Sequence, residues 1–245
     1  MFSGLFLVIQ LKIMNITTCF LLLLVLSSQC LIVCLAMRTK NHTTDQFALL
    51  RFKDQIVDPK NVLRNNWTSS SCVCKWVGVS CGVIHERVTA LNLSNMDLKG
   101  TIPPHVGNLS LLHSLDLSNN HFYGHPPKEL RQLHRLRIVQ LSFNDFNGEI
   151  PSWLGNLRRV KMLLVRNNSF TGTIPQALVN MSNLETLDLG SNQLFGHIPS
   201  SIFKLSSLEE IILDNNELSG NIPLNIGEIP QEIGNLLNLE TKNPI

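Results

Sequence analysis

Few residues in this chain have the means to do chemistry, and most of them crowd one short segment. Cys72, Cys74, Cys81 and His85 offer three thiols and an imidazole, the donor types that hold a tetrahedral zinc. The same thiols form a disulfide in an oxidising compartment, and the frame Trp76-Val-Gly-Val-Ser-Cys81 behind a secretory leader favours that reading. Elsewhere the chemistry thins out. The 8 His residues fall in loops, turns and the segment just described, with no Ser/His/Asp spacing and no H-E-x-x-H. Asp116 and Asp188 are too many turns of chain apart to act as a carboxylate pair. No phosphate loop or kinase signature is present. The sequence therefore predicts no catalytic centre, no metal and no cofactor, and it leaves binding as the chemistry to explain.

The 245 residues carry 20 Lys plus Arg against 18 Asp plus Glu, a net charge of +2 that gives no electrostatic case for a nucleic-acid partner. Residues 1–36 read as a signal peptide, with Lys12 ahead of an apolar run from Cys19 and the small residue Ala36 before a cut. The alternative is an uncleaved anchor, since the apolar runs on either side of Ser27-Ser-Gln-Cys30 together reach membrane-spanning length. No later segment is apolar enough to span. Downstream of residues 1–36, six N-x-[ST] sequons, at Asn41, Asn66, Asn92, Asn108, Asn167 and Asn180, fit a glycoprotein of the secretory pathway, extracellular or at the plasma membrane.

What positions any binding residue is a repeat. Val88, Leu112, Leu136, Val160, Leu184 and Leu208 open segments spaced 24 residues apart. Apolar residues return at offsets three and five, Asn at offset eight (Asn120, Asn144, Asn168, Asn192 and Asn216, with Met96 the exception), Gly at offset twelve and Pro at offset fifteen. The alternating stretch predicts a short strand with its leucines on one face, and stacked copies predict a parallel sheet over a continuous core. The amide of the offset-eight Asn, with two donors and an acceptor, predicts an internal ladder of hydrogen bonds to backbone. Ile-Pro starts an extended stretch, and apolar offsets eighteen and twenty-one, such as Val106 and Leu109, close the core from the convex side. In the second repeat His125-Pro126-Pro127 lacks the Ile, which predicts a locally weaker convex layer.

The first strand of such a stack needs a cap. Residues 37–87 supply it, starting with an amphipathic helix over 45–58 whose apolar positions include Phe47, Leu50 and Phe52, with Thr44 or Asp45 capping its start and Pro59 following its end. The motifs D-x-x-A-L-L-x-F-K at Asp45–Lys53, Asn66-Trp67, and C-x-W-x-G-V-x-C at Cys74–Cys81 resemble the N-terminal cap of plant leucine-rich-repeat receptor-like kinases and receptor-like proteins. The consensus L-x-x-L-x-L-x-x-N-x-L-x-G-x-I-P resembles the same family from residue 44 to the end, and Ile-Gly-Asn-Leu and Gly-x-Ile-Pro resemble its subgroup of bacterial-pattern receptors. The resemblance implies an α/β solenoid, a right-handed superhelix of short parallel strands behind a helical, disulfide-bonded cap. It pairs Cys74 with Cys81 and leaves Cys72 over, although Cys72 in place of Cys74 stays open. It also implies a peptide or protein ligand on the concave or lateral face, with a co-receptor kinase.

Residues 88–231 hold the six repeats, the last irregular, and 232–245 an incomplete seventh. Leu208 to Leu239 is 31 residues, the excess arising from the doubled phrase at Ile222–Gly227 and Ile229–Gly234, which reads as two repeats joined with a loss between them. No membrane span or kinase follows in this sequence, so a shortened receptor relative is expected, with a membrane partner only through the N-terminal segment or a missing C-terminal span. A secreted inhibitor of a microbial wall-degrading enzyme is the alternative function, and a non-signalling receptor fragment a third.

The concave face comprises offsets two, four, six and seven. It is mostly small or polar, as at Ser114, Asp116, Ser118, Thr186 and Asp188, but Ile138, Gln140 and Phe143 neighbour Met162, Leu164 and Arg166. Apolar groups clustered around an Arg make the candidate ligand-binding patch. Positive charge gathers mid-array (Arg135, Arg137, Arg158, Arg159, Lys161) and negative charge near the end (Glu185, Asp188, Glu209, Asp214), read as solvated surface or as a polarity that orients a ligand.

Overall fold

Leucines at offsets three and five face one side of each short strand, and no single strand can bury them alone. The computed structural model, which describes residues 44–220, resolves that requirement by parallel pairing. Strands Val88–Asn92, Ser114–Asp116, Ile138–Gln140, Met162–Leu164, Thr186–Asp188 and Glu210–Ile212 join side by side in repeat order. Equivalent residues are partners, so Leu115, Val139, Leu163, Leu187 and Ile211 form one buried row. Val79–Cys81 from the cap pairs antiparallel with Val88–Asn92 and covers the exposed edge of this first sheet.

A second sheet, not anticipated from the repeat, runs along the flank. It contains Lys99–Gly100, His121–Gly124, Asp145–Glu149, Ser169–Gly172, Gln193–His197 and Glu217–Ser219, with Ile56–Val57 antiparallel at its start. The residue at offset ten points inward from each strand, and Leu98, Phe122, Phe146, Phe170 and Leu194 are buried. Phe122 stacks on Phe146 at 6.2 Å and Phe146 on Phe170 at 6.3 Å, while Phe52 of the cap reaches Phe122 at 5.9 Å. An aromatic spine thus runs from the cap into the fourth repeat. The Gly at offset twelve lies at or within one residue of the end of each strand; Gly148, at φ 77°, occupies a left-handed conformation that only glycine adopts without strain.

The Pro at offset fifteen leads into one turn of 3-10 helix in each of the first five repeats (Pro104–Asn108, Lys128–Gln132, Ser152–Asn156, Gln176–Asn180, Ser200–Lys204), and in the first four that Pro is extended. Val106, Leu109, Leu154, Leu157 and Ile202 from these turns complete the core. In the second repeat Pro126 is buried where Ile102, Ile150 and Ile174 sit in their own repeats, and a small apolar cavity lies beside it, bordered by Leu130, Ile150 and Trp153. A ring with fewer carbons and no freedom to repack leaves that gap.

Asparagine closes the turn between the two sheets. Asn144 donates to the carbonyls of Leu117, Leu141 and Ser142 at 2.9, 3.1 and 3.3 Å and accepts from the Phe122 amide at 2.9 Å. Asn120, Asn168, Asn192 and Asn216 repeat the pattern, each bonding its own turn and the repeat before it.

The cap helix is already running at residue 44 and ends at 54, shorter than the expected span. Asp45 is not its cap. Its buried carboxylate takes two hydrogen bonds from the Arg87 guanidinium, both 2.7 Å, and one from the Val88 amide at 2.9 Å, fastening the helix to the first repeat. Ala48, Leu49 and Phe52 form the buried face, whereas Phe47 is about half exposed, against the expectation that it packs inward. Phe47 instead lies edge-on to His105 at 5.8 Å. Trp67 and Trp76 stack at 5.3 Å, and Cys74 and Cys81 are bonded to each other. The leader at 1–36, Asn41 and the doubled phrase and seventh repeat beyond 220 lie outside the described residues.

Candidate functional site

Side chains on the open side of the first sheet alternate with the buried leucines and fall into two columns. Ala90, Ser114, Ile138, Met162, Thr186 and Glu210 are successive partners in one, and Asn92, Asp116, Gln140, Leu164, Asp188 and Ile212 in the other. Neighbours in a column stand about 4.8 Å apart across the sheet. Ile138, Met162, Gln140 and Leu164 therefore form a contiguous block, each partly exposed.

The second column has a local job in most repeats. Asn92, Asp116, Gln140 and Asp188 each accept the amide N–H two residues on, from Ser94, Ser118, Ser142 and Gly190 at 3.0, 3.0, 3.2 and 3.0 Å. Such Asx-type contacts stabilise the chain as it leaves the strand. Leu164 carries no acceptor. It gives up that bond and adds apolar surface beside Met162, so the turn does not explain its presence.

Phe143 breaks another local rule. Offset seven is left-handed throughout: Asn95, Asn119, Asn167, Ser191 and Asn215 have φ between 52° and 59°, and Phe143 has φ 60°. Asn tolerates that region and a bulky side chain does not. Phe143 nonetheless sits there 44% exposed, on the rim between the sheets rather than over the block. It borders an open hollow with Lys60, Asn95, Asp97, Asn119 and His121. His121 lies between Asp97 and Asp145, at 3.3 and 3.7 Å.

Arg166 has a different role from the one its composition suggests. Its guanidinium donates to both carboxylate oxygens of Asp214, at 2.7 and 2.8 Å, and approaches Asp188 at 3.6 Å. The hydrogen bonds to Arg166 hold the Asp214 carboxyl below the usual range, and Asp214 raises the guanidinium in turn. Burial pushes Asp188 up despite the same Arg. The bridge passes over Gly190, where any Cβ would collide with the Arg166 Nη1 and Asp214 Oδ1 atoms. Arg166 is thus committed to the protein itself, and Lys161 likewise to Glu185. The central positive and terminal negative charges partly neutralise one another. Gly190 and its role went unnoticed in the sequence; a Gly where other repeats carry Ser, Arg or Asp at offset six was the available signal.

His113 immediately precedes the strand Ser114–Asp116 and has a lowered pKa, first through burial and then through the positive charges of Arg137, Arg135 and Arg159. In the cap Cys72 is free and exposed, and with Cys74 and Cys81 bonded to each other the four-donor zinc set is dismantled. Among the described residues no group of three or more His, Cys, Asp or Glu is placed to hold a metal ion, and no helix is long and apolar enough to cross a membrane.

Of the sequons, Asn108 and Asn180 end their 3-10 turns on the convex side, exposed. Asn92 is exposed on the sheet face, and Asn66 is half-buried with its carbonyl oxygen accepting from the Val77 amide. Asn167 is exposed next to Phe143.

The family pattern described as leucine rich repeat N-terminal domain matches residues 42–82, and patterns described as leucine rich repeat match 111–133, 135–157, 158–218 and 207–236. The chain is 45% identical over 76 residues to the LRR receptor-like serine/threonine-protein kinase EFR of Arabidopsis thaliana, a match covering 31% of this chain and 7% of that protein. It is 33% identical over 76 residues to polygalacturonase inhibitor 2 of the same plant, covering 30% of this chain and 22% of the inhibitor. The aligned stretch is thus a small fraction of these relatives' own length. Among solved structures, the Arabidopsis BIR2 ectodomain superposes with a TM-score of 0.66 at 33% identity, over 72% of this chain and 95% of that one. The Arabidopsis receptor kinase HAESA, in complex with the peptide hormone IDA and the co-receptor SERK1, superposes with a TM-score of 0.67 at 34% identity, over 71% of this chain and 30% of that one.

Proposed function

Because the chain belongs to the family of plant leucine-rich-repeat receptor ectodomains, we propose that it is an extracellular recognition module that binds a peptide or protein ligand on the first-sheet face. The observation that carries the proposal is the block of Ile138, Met162 and Leu164. It places three adjoining apolar side chains mid-array on a face that elsewhere is polar except at Ala90 and Ile212, and at Leu164 it does so where the first, second, third and fifth repeats keep a turn-stabilising acceptor. Recognition surfaces concentrate apolar anchors inside a polar rim, and Gln140, Thr186 and Ser114 supply that rim. Arg166 contributes from the side, as part of a fixed wall formed with Asp214.

The peptide-bound relative supports a peptide ligand and, through SERK1, a co-receptor kinase. The similarity to a polygalacturonase inhibitor supports the second reading, inhibition of a wall-degrading enzyme in the apoplast. The test uses the full chain secreted from plant cells, immobilised and washed with apoplastic fluid, alongside a Met162→Asp, Leu164→Asp variant. A peptide or protein retained by the first and lost by the second supports recognition on this face. Equal retention overturns it. Inhibition of fungal polygalacturonase, abolished in the same variant, decides for the second reading.

A further inference from the structure

We propose that Asn167 carries an N-linked glycan whose first sugar ring lies against the side chain of Phe143, so that Phe143 is covered by the protein's own carbohydrate and ligand is confined to the sheet face. The inference rests on the extracellular reading above, since only a chain in the secretory pathway meets the glycosylation machinery.

Three observations lead there. Asn167-Asn-Ser169 is a sequon, and the Asn167 side chain is exposed and makes no hydrogen bond among the described residues. Asn168, the middle residue, is by contrast held in the ladder by three backbone carbonyls. The local backbone is therefore fixed while the Asn167 amide stays available.

Second, Phe143 and Asn167 hold the same position in adjacent repeats. The Phe143 amide donates to the Arg166 carbonyl at 2.8 Å and the Asn144 amide to the Asn167 carbonyl at 3.2 Å, so the two left-handed turns are laid one on the other. One repeat step is about 4.8 Å, within the span of an Asn side chain and one pyranose ring.

Third, Phe143 is unexplained by the fold. It occupies a backbone conformation that Asn or Ser takes in every other described repeat, and 44% of its surface is exposed. Its ring meets none of the aromatic residues of the spine, which is built from Phe52, Phe122, Phe146 and Phe170. The apolar face of a sugar ring presents C–H groups that suit an aromatic face, and covering Phe143 in this way removes apolar surface from water. Asn108 and Asn180, by contrast, end 3-10 turns on the convex side.

The test is peptide mapping of the chain secreted from plant cells, combined with thermal unfolding of four forms: the natural chain, Ser169→Ala, Phe143→Asn and the double variant. Ser169→Ala removes the sequon while keeping Asn167 in its turn. The expected result is occupancy at Asn167 and a Phe143→Asn effect that depends on the glycan. Without the sugar, Phe143→Asn raises Tm by about 2 °C or more, because Asn suits the left-handed turn. With the sugar that gain is lost or reversed. Equal Tm changes in both backgrounds overturn the stacking. A bare Asn167 beside occupied Asn108 and Asn180 overturns this proposal alone, whereas a secreted chain with every sequon bare overturns the extracellular reading with it.

Discussion

Arg166 and Asp214, two repeats apart, clasp each other through a bidentate ion pair that crosses Gly190 without touching a side chain. The intervening repeat contributes an empty place. Long-range order along a solenoid ordinarily passes only between neighbours; this bridge ties the fourth repeat directly to the sixth. It also fixes one wall of the sheet face beside Leu164.

Gly190 has no positive φ that would demand glycine, so Gly190→Ala should fold. Its methyl group would displace the two flexible side-chain ends. Asp214→Asn in the natural background is expected to cost about 1 kcal/mol, the upper range for a partly exposed pair with bidentate geometry. In the Gly190→Ala background the same change should cost almost nothing. Denaturant unfolding of the four chains measures the coupling; identical Asp214→Asn costs would show that the bridge does not act through the gap.

Asn144 satisfies three carbonyls and one amide, all in the interior between the sheets. Asn144→Leu keeps the branched outline and abandons those groups, so a loss of about 3 kcal/mol or more is expected from the unsatisfied backbone alone. Asn147→Leu, exposed in the strand Asp145–Glu149, should cost less than about 1.5 kcal/mol. Comparable losses at both positions would remove the ladder's claim to hold the turns.

These residues also separate what was legible in the sequence from what was not. The strand leucines and the ladder Asn were readable because each acts at one fixed spacing, and the fold enforces that spacing in every copy. Asp45, offered by the sequence with Thr44 as alternative helix caps, instead holds Arg87, which is remote in sequence and is brought to it only by the packed cap. The second sheet was hidden for a related reason. Phe122, Phe146 and Phe170 recur at offset ten, but one inward residue between two exposed ones is too short a pattern to announce a strand. On the first-sheet face, the register that joins Ile138 to Met162 follows directly from the period. The withdrawal of Arg166 into an ion pair does not, since it depends on a missing side chain in between.

His113 gives the account a pH dependence. Its folded pKa lies below the ordinary value of 6.5, through burial first and then Arg137, Arg135 and Arg159. Between 6.5 and that lower value the unfolded chain binds more protons than the folded one, so stability falls as pH falls through this window. His113→Gln should flatten the Tm–pH profile there while leaving Tm above pH 7.5 within about 2 °C. An unchanged slope in the variant would assign the acid sensitivity to other groups.

The most direct measurement is the affinity of one recovered apoplastic ligand for three purified chains: the natural sequence, Met162→Asp at the centre of the apolar block, and Lys204→Ala on a convex 3-10 turn. Recognition through the first-sheet face predicts at least about a tenfold loss for Met162→Asp, equivalent to about 1.4 kcal/mol, and none for Lys204→Ala. Equal affinity of all three chains, or a loss confined to Lys204→Ala, would contradict it.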